Sequence, residues 1–134
     1  MFSPMPTGSA RLDSTPGNIA LCRVEDIAEG RARNFVLQMR AGRFHGFVVH
    51  QQGGVRGYVD RCPHAGLPLA RTLDDYLTPD SQFIACGWHG ALFAIKDGLC
   101  VGRPCVGQKL LGWPVLIDGD WIKTVAVPAN MGLD

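Results

Sequence analysis

Two short segments place a cysteine and a histidine where both can face one centre. The first is Cys62-Pro63-His64 and the second is Cys86-Gly87-Trp88-His89. Thiolate sulfur and neutral imidazole nitrogen are both good ligands for iron and for zinc. A step of two or three residues lets a tight loop aim two side chains at a common point, and two such loops facing each other supply four ligands. Two kinds of metal centre use this set. One is a closed mononuclear Cys2His2 zinc site of a binding module. The other is a [2Fe–2S] centre with two cysteines on one iron and two histidines on the other. A zinc finger usually pairs Cys with Cys and His with His, at spacings absent here. A lone Cys-x-His occurs often by chance; both pairs together, each followed closely by a glycine, do not.

The surrounding stretches extend the pattern. CPHAGLPL (Cys62–Leu69), CGWHGALF (Cys86–Phe93) and Asp97-Gly98 together resemble the cluster-binding region of Rieske [2Fe–2S] proteins, and within them the ferredoxin type found in ring-hydroxylating oxygenase systems. Gly102-Arg103-Pro104-Cys105 resembles that family's proline loop, and Pro114–Lys123 its closing hairpin. The likeness runs from about Ile19 to Val127. It implies one [2Fe–2S] cluster held by Cys62, His64, Cys86 and His89, with no catalytic residue of the chain's own. One departure is the long spacer, residues 65–85, which implies an extra surface excursion over Asp74–Gln82.

The resemblance also bears on potential. High-potential relatives join their two loops by a disulfide, and the matching positions here, Leu67 and Gly87 or Trp88, cannot form one. Those relatives also place serine and tyrosine hydroxyls near the cluster sulfurs; the matching residues are Ala91 and Phe93, which donate nothing. Donors stabilise the negative charge added on reduction. A potential near the bottom of the Rieske range is expected, suited to supplying electrons to a dioxygenase. The implied role is a one-electron carrier between a flavin reductase and a terminal oxygenase, an electron-transfer component of an oxidoreductase system and not a stand-alone catalyst. Alternatives are a small subunit of a nitrite-reductase-like enzyme and the zinc module. His64 and His89 would form the electron exit, with Trp88, Leu67 and Pro68 as an apolar docking rim.

The elements needed to hold such loops are legible from pattern. Of 134 residues, 17 are Gly and 9 are Pro, which favours turns and short strands, and 46% are hydrophobic, enough for a core. Met1–Asn18 is rich in Pro, Ser, Thr and Gly and reads as a loose tail. A domain spanning 19–127 follows, with the cluster-binding part at about 61–98 and a short tail at 128–134. Strands are predicted at Ile19–Arg23, Arg33–Arg40, Phe44–His50 and Val55–Asp60, then briefly at Phe83–Cys86 and Ala91–Ile95. A hairpin over Trp113–Val127, turning at Asp118-Gly119, closes the chain. The expected fold is all-β: a small antiparallel sandwich or barrel with an inserted cluster-binding subdomain.

Composition narrows the partners. A formal net charge of +1 offers no electrostatic case for nucleic acid or an anionic membrane. No apolar run approaches a membrane span, and no basic segment leads into an apolar block. The expectation is a soluble cytoplasmic protein. In that setting Cys100 and Cys105 are expected as packed thiols, although pairing is possible. Cys22 is expected to be a small buried hydrophobe, Trp113 and Trp121 core residues, and His45 and His50 ordinary strand side chains. Arg40, Arg43, Arg56, Arg61 and Arg71 are expected to form a solvated surface.

Overall fold

A computed structural model describes residues 11–63, 66–88, 90–101 and 105–128 of the chain. Ten short strands dominate it: β1 (Arg11–Leu12), β2 (Ala20–Arg23), β3 (Arg31–Gln38), β4 (Arg43–Gln51), β5 (Gly54–Val59), β6 (Phe83–Ala85), β7 (Leu92–Ala94), β8 (Gly112–Trp113), β9 (Val115–Asp118) and β10 (Trp121–Thr124). The all-β expectation holds; the 3-10 turn Val24–Asp26 is a brief departure from it.

The largest sheet has the order β1-β4-β5-β8, with β3 on the other side of β4. Its strands are antiparallel except for β1, which runs parallel to β4. A second sheet, β2-β10-β9, and the hairpin β6-β7 complete the topology. No described helix is long and apolar enough to cross a membrane.

Alternation along β4 explains the layering. Phe44 and Val48 point to one face, and Phe47 and Val49 to the other; all four are at most 1% exposed. Directly opposed residues of an antiparallel pair share a face. Leu37 opposite Phe44 therefore joins the first face, and Ala32 opposite Val49 the second. The first face packs on Cys22, Ile27, Trp113 and Ile122, a core shared with the β2-β10-β9 sheet. The second packs on Cys62, Leu69, Tyr76, Ile84, Cys86, Ala91 and Phe93. A strand buried on both sides reads as a near-continuous apolar run, as Phe44–Val49 does. The central sheet is thus a floor with a small sheet beneath it and the segments of Cys62 and Cys86 above.

Three particulars differ from expectation. Residues 11–18 pack on the domain instead of trailing from it: β1 pairs with Arg43-Phe44, buried Thr15 accepts a hydrogen bond from Trp113 Nε1 at 2.9 Å, and Asp13 pairs with Arg61 at 2.7 Å. Trp121, expected in the core, is 38% exposed and lies under the Arg23 guanidinium, 4.9 Å from its ring centroid, because its place in β10 faces away from Ile122. Cys100 and Cys105 form a disulfide, their Cα atoms 5.9 Å apart. Backbone contacts bring them together: Phe93 bridges Cys100, Cys100 N–H donates to Gln108 O, and Gln108 N–H donates to Cys105 O.

Candidate metal centre

Cys62 follows the end of β5, and Cys86 follows β6. The two cysteines are 0% and 1% exposed and belong to the same core cluster. His64 and His89 lie outside the described residues, as does the Gly102-Arg103-Pro104 segment.

The two cysteine loops are built alike. In the first, Cys62 O accepts from Gly66 N–H at 2.7 Å, and Cys62 N–H donates to Leu67 O at 2.7 Å. In the second, Cys86 O accepts from Gly90 N–H at 2.9 Å, and Cys86 N–H donates to Ala91 O at 2.8 Å. Each loop therefore bonds the cysteine carbonyl to the glycine four residues on, and the cysteine N–H to the next carbonyl. The glycines have φ of 72° and 73°, the left-handed region that glycine enters without penalty. The different spacings, Cys-x-His and Cys-x-x-His, sit inside loops of equal length.

Backbone and side chain tie the loops to each other. Gly87 N–H donates to Leu69 O at 2.7 Å, and Trp88 Nε1 donates to Pro68 O at 2.8 Å. The Arg71 guanidinium sits 5.1 Å from the Trp88 ring centroid. These contacts link the segments around Leu67 and Gly87-Trp88, the positions that match the disulfide of high-potential relatives. Leu67 and Trp88 remain 42% and 49% exposed, beside exposed Pro68. Ala91 and Phe93 are fully buried and bring no hydroxyl.

Beneath the first loop lies a polar group that sequence reasoning missed. Asp60, 5% exposed, accepts Leu69 N–H on Oδ1 at 2.8 Å and the Tyr76 hydroxyl on Oδ2 at 2.8 Å. Its position two residues before Cys62 was the available signal. Burial, and then the Asp60 carboxylate, pushes the Tyr76 phenol pKa far up, so it remains a donor.

The other singled-out residues lie elsewhere. Cys22 is buried in the lower core, and that burial raises its thiol pKa. His50 Nδ1 is 2.6 Å from Ile27 O. His45 has its pKa lowered, chiefly by burial. Arg43 Nε donates to Gln38 Oε1 and Arg56 Nε to Lys96 O, local contacts of a surface.

The donor chemistry fits a [2Fe–2S] group: each of two matched loops carries one cysteine and one histidine. Comparison with known proteins bears on the same point. The family model for the Rieske [2Fe-2S] domain matches residues 17–126. A ferredoxin of carbazole 1,9a-dioxygenase from Nocardioides aromaticivorans IC177 is similar in fold, with a TM-score of 0.63 and 21% identity over 85% of this chain and 100% of that one. A chain in the complex of reduced oxygenase and oxidized ferredoxin in carbazole 1,9a-dioxygenase gives 0.63 and 20%, over 80% and 91%. Human apoptosis-inducing factor 3 is 29% identical over 79 residues, 59% of this chain. The chain spans only 12% of that curated relative.

Proposed function

The chain belongs to the Rieske [2Fe-2S] domain family, whose model covers residues 17–126 and whose cofactor is one [2Fe–2S] cluster, and on that premise we propose that Cys62 and Cys86 hold one iron and His64 and His89 the other, and that the protein is a soluble, cytoplasmic one-electron carrier of the ferredoxin type. It takes electrons from a flavin reductase and passes them to a terminal oxygenase. The observation that carries this reading is the pair of matched loops, in which Cys62 and Cys86 are held by equivalent backbone bonds, and the sequence of each loop also carries one histidine. The domain assignment removes the reason for the zinc alternative. It leaves a small subunit of another redox enzyme as the rival.

When bound, the cluster supplies reversible one-electron chemistry. The chain's residues do the rest. The Cys62 and Cys86 side chains are enclosed by the upper core, so the sulfur side is kept from water. The Gly66 and Gly90 amides are spent on the cysteine carbonyls. The Ala91 and Phe93 side chains carry no donor, so neither side chain favours the reduced state. The exposed rim of Leu67, Pro68 and Trp88 is an apolar patch of the kind that docks a partner. The similar solved complex pairs an oxygenase with a ferredoxin, which supports a partner of that type.

The test is a redox titration followed by electron transfer. A single one-electron wave in the lower half of the range of roughly −150 to +300 mV is expected. The reduced protein is expected to reoxidise on mixing with a Rieske-type terminal oxygenase. A midpoint near the top of that range, or no transfer to the oxygenase, contradicts the proposed role.

A further inference from the structure

The spacer between the ligand pairs was expected to form a surface excursion, yet it buries a tyrosine. Tyr76 is 1% exposed, and its ring stacks on Phe47 of β4, with centroids 4.1 Å and planes 10° apart. Its hydroxyl donates to Asp60 Oδ2 at 2.8 Å and accepts from Asn34 Nδ2 at 2.7 Å. Asn34 lies opposite Phe47 in the β3–β4 pairing, on the face that carries the upper core. Its own N–H is held by Asp74 Oδ1 at 2.7 Å, from the same spacer. Asp60 in turn holds Leu69 N–H, and Leu69 O receives Gly87 N–H of the second loop. Tyr76 also reaches the second loop by its backbone: Tyr76 O accepts Ala85 N–H at 2.8 Å, one residue before Cys86.

One residue thus touches the root of both loops. We infer that Tyr76 is a positioning residue for the cluster, setting the spacing of the two cysteine loops through its hydroxyl on Asp60 and its carbonyl on Ala85. The long spacer is then part of the site's support. This rests on the reading of the four ligands above.

Tyr76→Phe keeps the ring on Phe47 and removes only the hydroxyl. Asp60 Oδ2 and Asn34 Nδ2 each lose a buried partner, which is more costly than a lost surface bond. In the full chain loaded with cluster, Tyr76→Phe is expected to lose iron to a chelator about tenfold faster than the parent, and the paramagnetic resonance signal of its reduced form is expected to broaden or shift. Asp60→Ala is expected to match or exceed that loss, and Asp60→Asn, which keeps an acceptor for Leu69 N–H, to recover part of it. Chelation rates within twofold of the parent, with an unchanged resonance signal in Tyr76→Phe, overturn the inference. Should Tyr76→Phe not fold, Asn34→Ala removes the hydroxyl's donor from outside the spacer. A roughly threefold faster loss there supports the inference, and no change overturns it. A parent protein that holds no diiron cluster fails the ligand reading itself, a separate result seen before any variant is made.

Discussion

The two cysteine loops share their internal hydrogen bonds and differ in what stands behind them. The second loop is the turn of the β6–β7 hairpin. Ile84 and Phe93, paired across that hairpin and both fully buried, fix it from within a short stretch of chain. The first loop leaves the end of β5 and, among the described residues, has no returning strand of its own. Its support comes through the Asp60 side chain, which reaches the loop's far end at Leu69 and is braced by residues on β3 and in the spacer. The same backbone shape is therefore secured locally in one case and by long-range polar contacts in the other. Backbone ladders tolerate side-chain changes, whereas a buried polar group is costly to leave unpaired. The first loop should be the more sensitive to single polar substitutions, and the second to loss of apolar volume.

The largest expected effect treats the loops equally. Cys62→Ser or Cys86→Ser is expected to abolish the visible spectrum and the bound iron, while Cys22→Ser leaves iron content unchanged. Loss of cluster in the Cys22 variant would place the ligands on the wrong thiols. Next, Ile84→Ala should destabilise the protein by about 2–5 kcal/mol in denaturant unfolding, as expected for a fully buried aliphatic side chain. A cost below about 1 kcal/mol would mean that the hairpin core does not hold the second loop.

The glycines sharpen the equivalence. Among the described residues, Gly66→Ala and Gly90→Ala meet no atom within 4 Å at the new Cβ, so the expected penalty is the conformational one. Each should cost about 1 kcal/mol, and by nearly the same amount, because their φ values agree. Clearly unequal costs would show that the loops are not the same device. Ala91→Ser is expected to raise the midpoint potential by adding a donor where none exists; a fall would contradict the tuning argument. The smallest change is Trp88→Phe. It removes the indole N–H bond to Pro68 and weakens the contact with Arg71, and in a half-exposed setting about 1 kcal/mol or less of stability should be lost.

Much of this was legible in the sequence. Alternation in Arg33–Arg40 and the turn residues around Gln51–Gly54 located the central strands to within a residue or two, because period and turn chemistry are local properties; the turn at Asp118-Gly119 was also found, but the hairpin expected over Trp113–Val127 ends at Thr124, and Trp113 pairs in the larger sheet. Both cysteine loops, with their trailing glycines, were equally local. What was missed depends on contacts distant in the chain. Tyr76 sits in a polar stretch and is buried because Phe47 of β4 stacks on its ring and Asp60 and Asn34, from β5's end and β3, give its hydroxyl partners. Thr15 is buried because Trp113 reaches it from the far end of the chain. The Cys100–Cys105 pairing follows from bridges among Phe93, Cys100, Gln108 and Cys105, which no spacing rule displays. Trp121 was placed inside on residue type, and register turned it outward.

The most direct measurement is iron and acid-labile sulfide per chain, together with the electron paramagnetic resonance spectrum of the reduced protein. Two irons and two sulfides per chain are predicted, with a mean g-value below that of all-cysteine clusters, as histidine ligation of one iron requires. A single zinc ion without sulfide, or a mean g-value of the all-cysteine kind, would contradict the assignment of Cys62, His64, Cys86 and His89.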